Sequence, residues 1–337
     1  MMDLRTHTSR LAAAIGLAMA MTGQVLGAAP VPAQAPLPAA QVPGYFRTQV
    51  GAFEVTALYD GHVDIDAGLL DGPSNTSIDQ ALGRVFLSRS RPVQTAVNAY
   101  LVRTGKHVIL VDTGTAKLFG DQLGFLLQNL QAAGFAPQDV DTILLTHLHP
   151  DHAGGLLTGA GQMAFPNARV FVPKADADYW LSTTEAARAP KDKQALFGMS
   201  RDAVAPYLAA GRLTVFTPGQ ALREGVSAMA APGHTPGHTA YMFSSQEQRL
   251  LVWGDIVHNA AVQFPHPEVA IEYDWNKQGA IATRRTLLSL AASGQLLVAG
   301  AHLPFPGLGR IGFDGSRDYR WVPLEYGPVR RLERQQP

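Results

Sequence analysis

Thr146-His147-Leu148-His149-Pro150-Asp151-His152-Ala153-Gly154-Gly155 is the stretch on which the reading of this chain turns. Four residues able to bind a metal (His147, His149, Asp151 and His152) fall within six positions. They follow the apolar run Ile143 to Leu145, which reads as a short buried strand. A strand end is a rigid anchor. A turn there lets side chains that would otherwise alternate across the strand converge on one point. Gly154 and Gly155 permit tight backbone turning beside it. Neutral imidazole and carboxylate together suit zinc and related divalent ions.

Three later positions repeat that setting. His234 lies in Ala231-Pro232-Gly233-His234-Thr235-Pro236-Gly237-His238, Asp255 follows the apolar run Leu250 to Gly254, and His302 follows Leu296 to Ala301. Each is a metal-competent side chain placed where a core strand runs out, the place where α/β sheets carry their sites. Around them the pattern alternates between strand and helix. Strands are expected at Phe53–Leu58, Val63–Ile65, Ala99–Val102, Val108–Val111, Val170–Val172, Leu213–Phe216, Thr239–Phe243, Leu250–Trp253 and Leu296–Ala299. Asp60-Gly61 and Thr104-Gly105-Lys106 read as hairpin turns. Helices are expected at Leu118–Ala133, stopping at Gly134, and near Ala175–Leu181, Arg201–Ala209 and Ile281–Leu290. Interleaved elements of this kind predict one two-sheet α/β domain over residues 44–337.

Composition narrows the function. Of 337 residues, 46% are hydrophobic and 16% charged, enough to build a large core. Lys+Arg and Asp+Glu are both 27, and no basic cluster marks a nucleic-acid face. The absence of cysteine excludes disulfides, thiolate-bound zinc, iron–sulfur clusters and thiol nucleophiles together. Arg5 and Arg10 precede the apolar run Leu11 to Met21, and Gly27, Ala28 and Ala29 follow, which predicts a secretory signal peptide over residues 1–28. That run is too short for the roughly 20 residues a helical span needs, so no stable membrane insertion is expected after leader cleavage. Pro30, Pro32, Pro36, Pro38 and Pro43 mark residues 29–43 as an extended linker. The expected location is the periplasm or the exterior.

The signature His147-x-His149-x-Asp151-His152, followed by His234, Asp255 and His302, resembles the dinuclear pattern of the metallo-β-lactamase superfamily. Val111-Asp112-Thr113-Gly114, Leu118-Phe119-Gly120, Ala164-Phe165-Pro166-Asn167-Ala168 and Ala301-His302-Leu303-Pro304-Phe305-Pro306-Gly307 are similar to its secreted methyl parathion hydrolase and dihydrocoumarin hydrolase branch. The resemblance covers nearly all of Tyr45 to Tyr326. It implies an αββα sandwich with the site at one edge, two divalent ions and a homodimer. His147, His149 and His234 would hold one ion; Asp151, His152 and His302 would hold the other; Asp255 would bridge. Zinc is the first expectation, with Mn, Co and Fe open to the same donors. Asp112 and His238 are read as hydrogen-bonding support for the ligands, and His62, His107 and His266 as surface residues. Phe119, Trp180 and Phe197 match positions lining a leaving-group pocket in that branch.

The implied chemistry is hydrolysis by a hydroxide held between the ions and oriented by Asp151 and Asp255. Such a site keeps a small net positive charge and favours a neutral substrate whose transition state becomes anionic. His258 stands where methyl parathion hydrolase is expected to carry leucine, and Ile271 and Tyr273 are similar to the lactonase side of the branch. These three are therefore assigned to the substrate pocket, with His258 as a contact to substrate or leaving group. The reading is a hydrolase of lactones and aryl esters with organophosphate triesters as a side activity; triesters as the main substrate are the alternative. The absence of a cysteine ligand speaks against a β-lactamase. His149, where the redox members carry Glu, speaks against a diiron protein. A balanced charge speaks against a nuclease, and a complete donor set against a non-catalytic metal-binding protein.

Overall fold

Continuous apolar runs such as Val108–Val111 and Leu250–Val252 need partners on both faces, and the fold supplies them. The computed structural model describes residues 42–327 except 314, 316 and 317. The predicted leader, 1–28, and all but the last two residues of the predicted linker lie outside the described residues. One sheet holds β1 (Tyr45–Val50), β2 (Phe53–Ile65), β3 (Val93–Arg103), β4 (Val108–Val111), β5 (Thr142–Leu144), β6 (Arg169–Pro173) and β7 (Leu213–Phe216). These lie side by side in chain order, antiparallel from β1 to β4 and parallel from β4 to β7. The second sheet holds β8 (Ala221–Arg223), β9 (Val226–Ala230), β10 (Thr239–Ser245), β11 (Gln248–Val252), β12 (Leu297–Ala299), β13 (Leu308–Phe313) and β14 (Tyr319–Pro323). It also keeps chain order, and only β11 and β12 pair in parallel.

Side chains alternate between two cores. Along β3, Tyr100 and Val102 face the second sheet, while Ala99 and Leu101 face helices. Along β11, Leu250 and Val252 enter the inter-sheet core, while Leu251 and Trp253 pack toward Leu287, Leu288 and Ala291 of helix Lys277–Ser293. Full burial of each such Leu or Val is worth roughly 1.5–3 kcal/mol. The outer face of the first sheet is covered by helices that include Leu126–Ala132, Lys174–Trp180 and Gln194–Ala209. The order of layers is helix, sheet, sheet, helix, the αββα sandwich expected.

Three local expectations are corrected. Asp60-Gly61 is not a hairpin turn: it sits inside β2, where the pairing with β3 shifts register between Tyr59 and Gly61. Gly61 has φ 132°, and a Cβ there would lie 2.0 Å from the Gln122 carbonyl oxygen. Asp60 is buried, and its carboxylate accepts from the Thr115 N–H and hydroxyl and from the Leu126 N–H. The helix predicted over Leu118–Ala133 begins only at Leu126, because Gly120 and Gly124 take left-handed φ values. Ile271 does not join a substrate pocket. It pairs with Leu70 in a two-stranded ribbon and is buried against Ile78, Leu82, Val262 and Val269.

Candidate metal centre

The seven predicted donors all leave from carboxyl ends of strands. His147, His149, Asp151 and His152 follow β5, His234 follows β9, Asp255 follows β11 and His302 follows β12. β9 and β11 flank the antiparallel β10, so they point the same way. The Thr239 N–H donates to the Thr146 carbonyl at 2.9 Å and the Tyr241 hydroxyl to the Leu145 carbonyl at 2.6 Å. These two bonds lock the ends of the two sheets together beside the site.

The structure brings the seven into two groups that share Asp255. In the first, His147 Nε2 and His234 Nε2 each lie 3.0 Å from His149 Nδ1, and Asp255 Oδ2 lies 3.2 Å from His234 Nε2. In the second, Asp255 Oδ1 is 3.1 Å from His152 Nε2 and Oδ2 is 3.1 Å from His302 Nε2. Asp151 Oδ2 stands 3.3 Å from His152 Nε2 and 3.5 Å from His302 Nε2. Within each group the donor atoms lie within 4.8 Å of one another.

Partners on the far side of four of the five rings fix their lone pairs. His152 Nδ1 meets Asp112 Oδ2 at 2.9 Å, His234 Nδ1 meets Asp274 Oδ1 at 3.0 Å and His302 Nδ1 meets the Ala96 carbonyl at 2.9 Å. Carboxylate and carbonyl oxygens only accept, so each Nδ1 carries the proton and Nε2 faces the centre. His147 Nδ1 lies 3.0 Å from the Thr146 hydroxyl, which itself donates to Asp112 Oδ2. Asp112 holds the Thr146 N–H as well, from a backbone with φ 60°. His238 Nε2 accepts the Asp255 N–H at 3.0 Å, so its lone pair is committed to positioning Asp255.

Electrostatics favour cations here. Burial pushes His147 and His149 well below the usual imidazole range, and neighbouring histidines add to it. Burial alone would raise Asp151 and Asp255, but the imidazoles around them hold both below the usual carboxylate range. His152 and His234 are raised despite burial, each by Asp255 among others, His234 to about 9. His152 Nε2 and Asp255 Oδ1 are buried without a hydrogen-bond partner. Converging lone pairs, two buried carboxylates and unpartnered donor atoms fit two divalent ions, with a nitrogen and oxygen donor set.

The centre forms the floor of a cavity of about 860 Å³. Phe119, half-exposed, lines it, as do the buried Trp180 and Phe197, which pack ring to ring at 4.6 Å, with Trp180 also 4.9 Å from His149. Tyr273 borders the cavity, and so does Trp275, which the sequence reading passed over. His62, half-buried, also borders it. His258 is buried, stacks on His302 at 5.1 Å and places Nε2 3.2 Å from Asp255 Oδ2; burial lowers its pKa to about 4. Two further carboxylates escaped the sequence reading. Asp176 accepts from the Leu148 and Gly237 N–H groups, tying the two ligand loops together, and Asp274 holds His234. Neither lies in a motif.

A model of the metallo-β-lactamase superfamily matches residues 93–302, a span that contains all seven donors. The chain belongs to that superfamily. It is a hydrolase with the superfamily's fold. Among solved structures it is similar to the hydrolase AbOPH, at 38% identity and a TM-score of 0.82, over 86% of this chain and 100% of that one. It is also similar to AidC, a dizinc quorum-quenching lactonase solved with the product N-hexanoyl-L-homoserine, at 28% identity and a TM-score of 0.76 over 85% of this chain and 99% of that one. YobT of Bacillus subtilis (strain 168), an uncharacterized protein, is 28% identical over 60% of this chain and 82% of its own length.

Proposed function

We propose that this superfamily hydrolase is a dizinc lactonase and aryl esterase, with organophosphate triester hydrolysis as a side activity. The observation that carries the proposal is Asp255, shared by two histidine-rich groups at the floor of an aromatic-walled cavity. Two divalent ions held there supply Lewis acidity and lower the pKa of water, so hydrolysis at neutral pH needs no separate strong base. His147, His149 and His234 would hold one ion and Asp151, His152 and His302 the other.

The chain's own groups then select and orient the substrate. Asp151 is the carboxylate of the centre that the cavity reaches most openly, so its side chain would orient the attacking water against the substrate. His258 occupies the volume beside Asp255, leaving room for a planar ester or lactone more readily than for a bulkier tetrahedral phosphotriester. The faces of Tyr179, Trp180 and Trp275 offer an apolar wall for a neutral acyl or aryl group. The lactonase activity named for AidC supports the same substrate class.

The test is a kcat/KM comparison on one zinc-loaded preparation with dihydrocoumarin, N-hexanoyl homoserine lactone and methyl paraoxon. The two lactones are expected to exceed the phosphotriester. The reverse order would overturn the proposal in favour of a phosphotriesterase.

A further inference from the structure

Among the described residues, Asp274 is the one carboxylate outside the seven donors that both contacts a proposed ligand ring and lines the cavity. We infer that Asp274 is a positioning residue that ties this aromatic wall to the imidazole of His234. The inference rests on the reading of His234 as a metal ligand.

The tie has four parts. Asp274 Oδ1 accepts from His234 Nδ1 at 3.0 Å, and Asp274 Oδ2 accepts from the Ile271 N–H at 3.1 Å. Beside it, the Trp275 N–H donates to the His234 carbonyl at 3.0 Å and the Asn276 N–H to the Gly233 carbonyl at 2.9 Å. Two main-chain bonds and one side-chain bond therefore clip segment 271–276 onto the His234 loop. The same loop docks on helix Lys277–Ser293 through Gly233, at φ 135°, where a Cβ would lie 2.1 Å from the Ala280 nitrogen.

Asp274 is buried, whereas its neighbours Tyr273 and Trp275 are half-exposed in the cavity wall. Arg284 supports it from the helix. The guanidinium is buried 3.9 Å from Asp274 Oδ2 and donates to the carbonyls of Ile256, Pro267 and Val269. Ile256 adjoins the shared carboxylate Asp255, so one arginine braces the approach to both residues. A carboxylate behind a ligand histidine fixes the tautomer and raises the basicity of the donor nitrogen. Here the same carboxylate also sets where the wall stands.

The experiment uses the full chain and three forms: wild type, Asp274→Asn and His234→Ala. Zinc per chain is measured by elemental analysis, and zinc affinity by competition with a chromophoric chelator. The cobalt(II)-substituted protein supplies an absorption spectrum that reports ligand geometry. Asp274→Asn is expected to weaken one ion about 10–100-fold, leave the other unchanged and shift the cobalt bands. Zinc affinity and a cobalt spectrum equal to wild type in Asp274→Asn, with one ion lost in His234→Ala, would overturn the inference and leave the ligand reading standing. Two ions held as tightly in His234→Ala as in wild type would overturn the ligand reading itself. Should Asp274→Asn fail to fold, Asp274→Glu carries the same test, since it keeps the charge beside Arg284 and displaces the carboxylate by one methylene.

Discussion

The ligand edge and the aromatic wall of this cavity are built by opposite means. Five of the seven donors are buried, and four of the five ligand rings are held by a second bond on the far side. The exposed part of the wall stands on loops: Phe119, Tyr273 and Trp275 are 45%, 45% and 54% exposed. Strand ends of two packed sheets leave the donors no freedom, whereas the wall segments can vary without disturbing either sheet. Chemistry is placed in the rigid part and selectivity in the adjustable one.

Asp255 is where breaking that division has the largest effect. Its two oxygens lie within 3.2 Å of four imidazole nitrogens, those of His152, His234, His258 and His302. Asp255→Ala is expected to lose bound metal and to cut kcat/KM by about 10³-fold or more, since both ions lose a shared ligand. Elemental analysis and steady-state kinetics on the same preparation check it. Full metal content with normal turnover would refute the shared-ligand reading.

The same contrast explains what could be read in advance. Ligand histidines and aspartates are polar residues interrupting apolar strand ends, so their positions stand out locally, and the two-faced burial of β4, β11 and β12 shows as unbroken apolar runs. What was missed depends on partners distant in the chain. Asp60-Gly61 carries a turn signature, yet Asp60 reaches Thr115 and Leu126, 55 and 66 residues away, and the pair becomes a bulge. Leu118 to Leu130 has helical spacing, but the Gly120 and Gly124 conformations end the pattern early. Ile271 and Tyr273 have the spacing of one strand face, but the chain turns at Asp274, so one enters a small core and the other the cavity. Asp176 and Asp274 are isolated acids whose partners lie 28 to 61 and 40 residues away. No local pattern announces them.

Asp176 sharpens the comparison at the rigid side with an intermediate effect. Burial pushes its carboxyl up from 3.8 to about 6, against the backbone N–H groups of Leu148 and Gly237 that favour the charged form. The folded chain therefore keeps a proton that the unfolded chain releases above about 3.8. The stability this supplies is fully present below that value and is lost as pH rises through about 6. In the metal-free protein, the unfolding free energy of wild type relative to Asp176→Asn should fall by at most about 3 kcal/mol between pH 4 and 6. Parallel denaturant titrations measure it. A difference that stays flat over this window would show that Asp176 remains ionised in the folded state.

The smallest effect belongs to the wall, and Phe119 isolates it better than Trp180. Trp180 is buried against Phe197 and His149, so Trp180→Ala would cost about 3–5 kcal/mol of stability and confuse pocket with core. Phe119 is half-exposed on a loop, so Phe119→Ala should change stability by less than about 0.5 kcal/mol. An aromatic contact is worth roughly 0.5–1.5 kcal/mol, so KM for aryl esters should rise about two- to tenfold with kcat unchanged. Small aliphatic esters, which do not reach the rim, should be unaffected. An equal rise for both classes would mean that Phe119 shapes the loop rather than meeting the substrate, and would return selectivity to the buried Trp180 and Phe197.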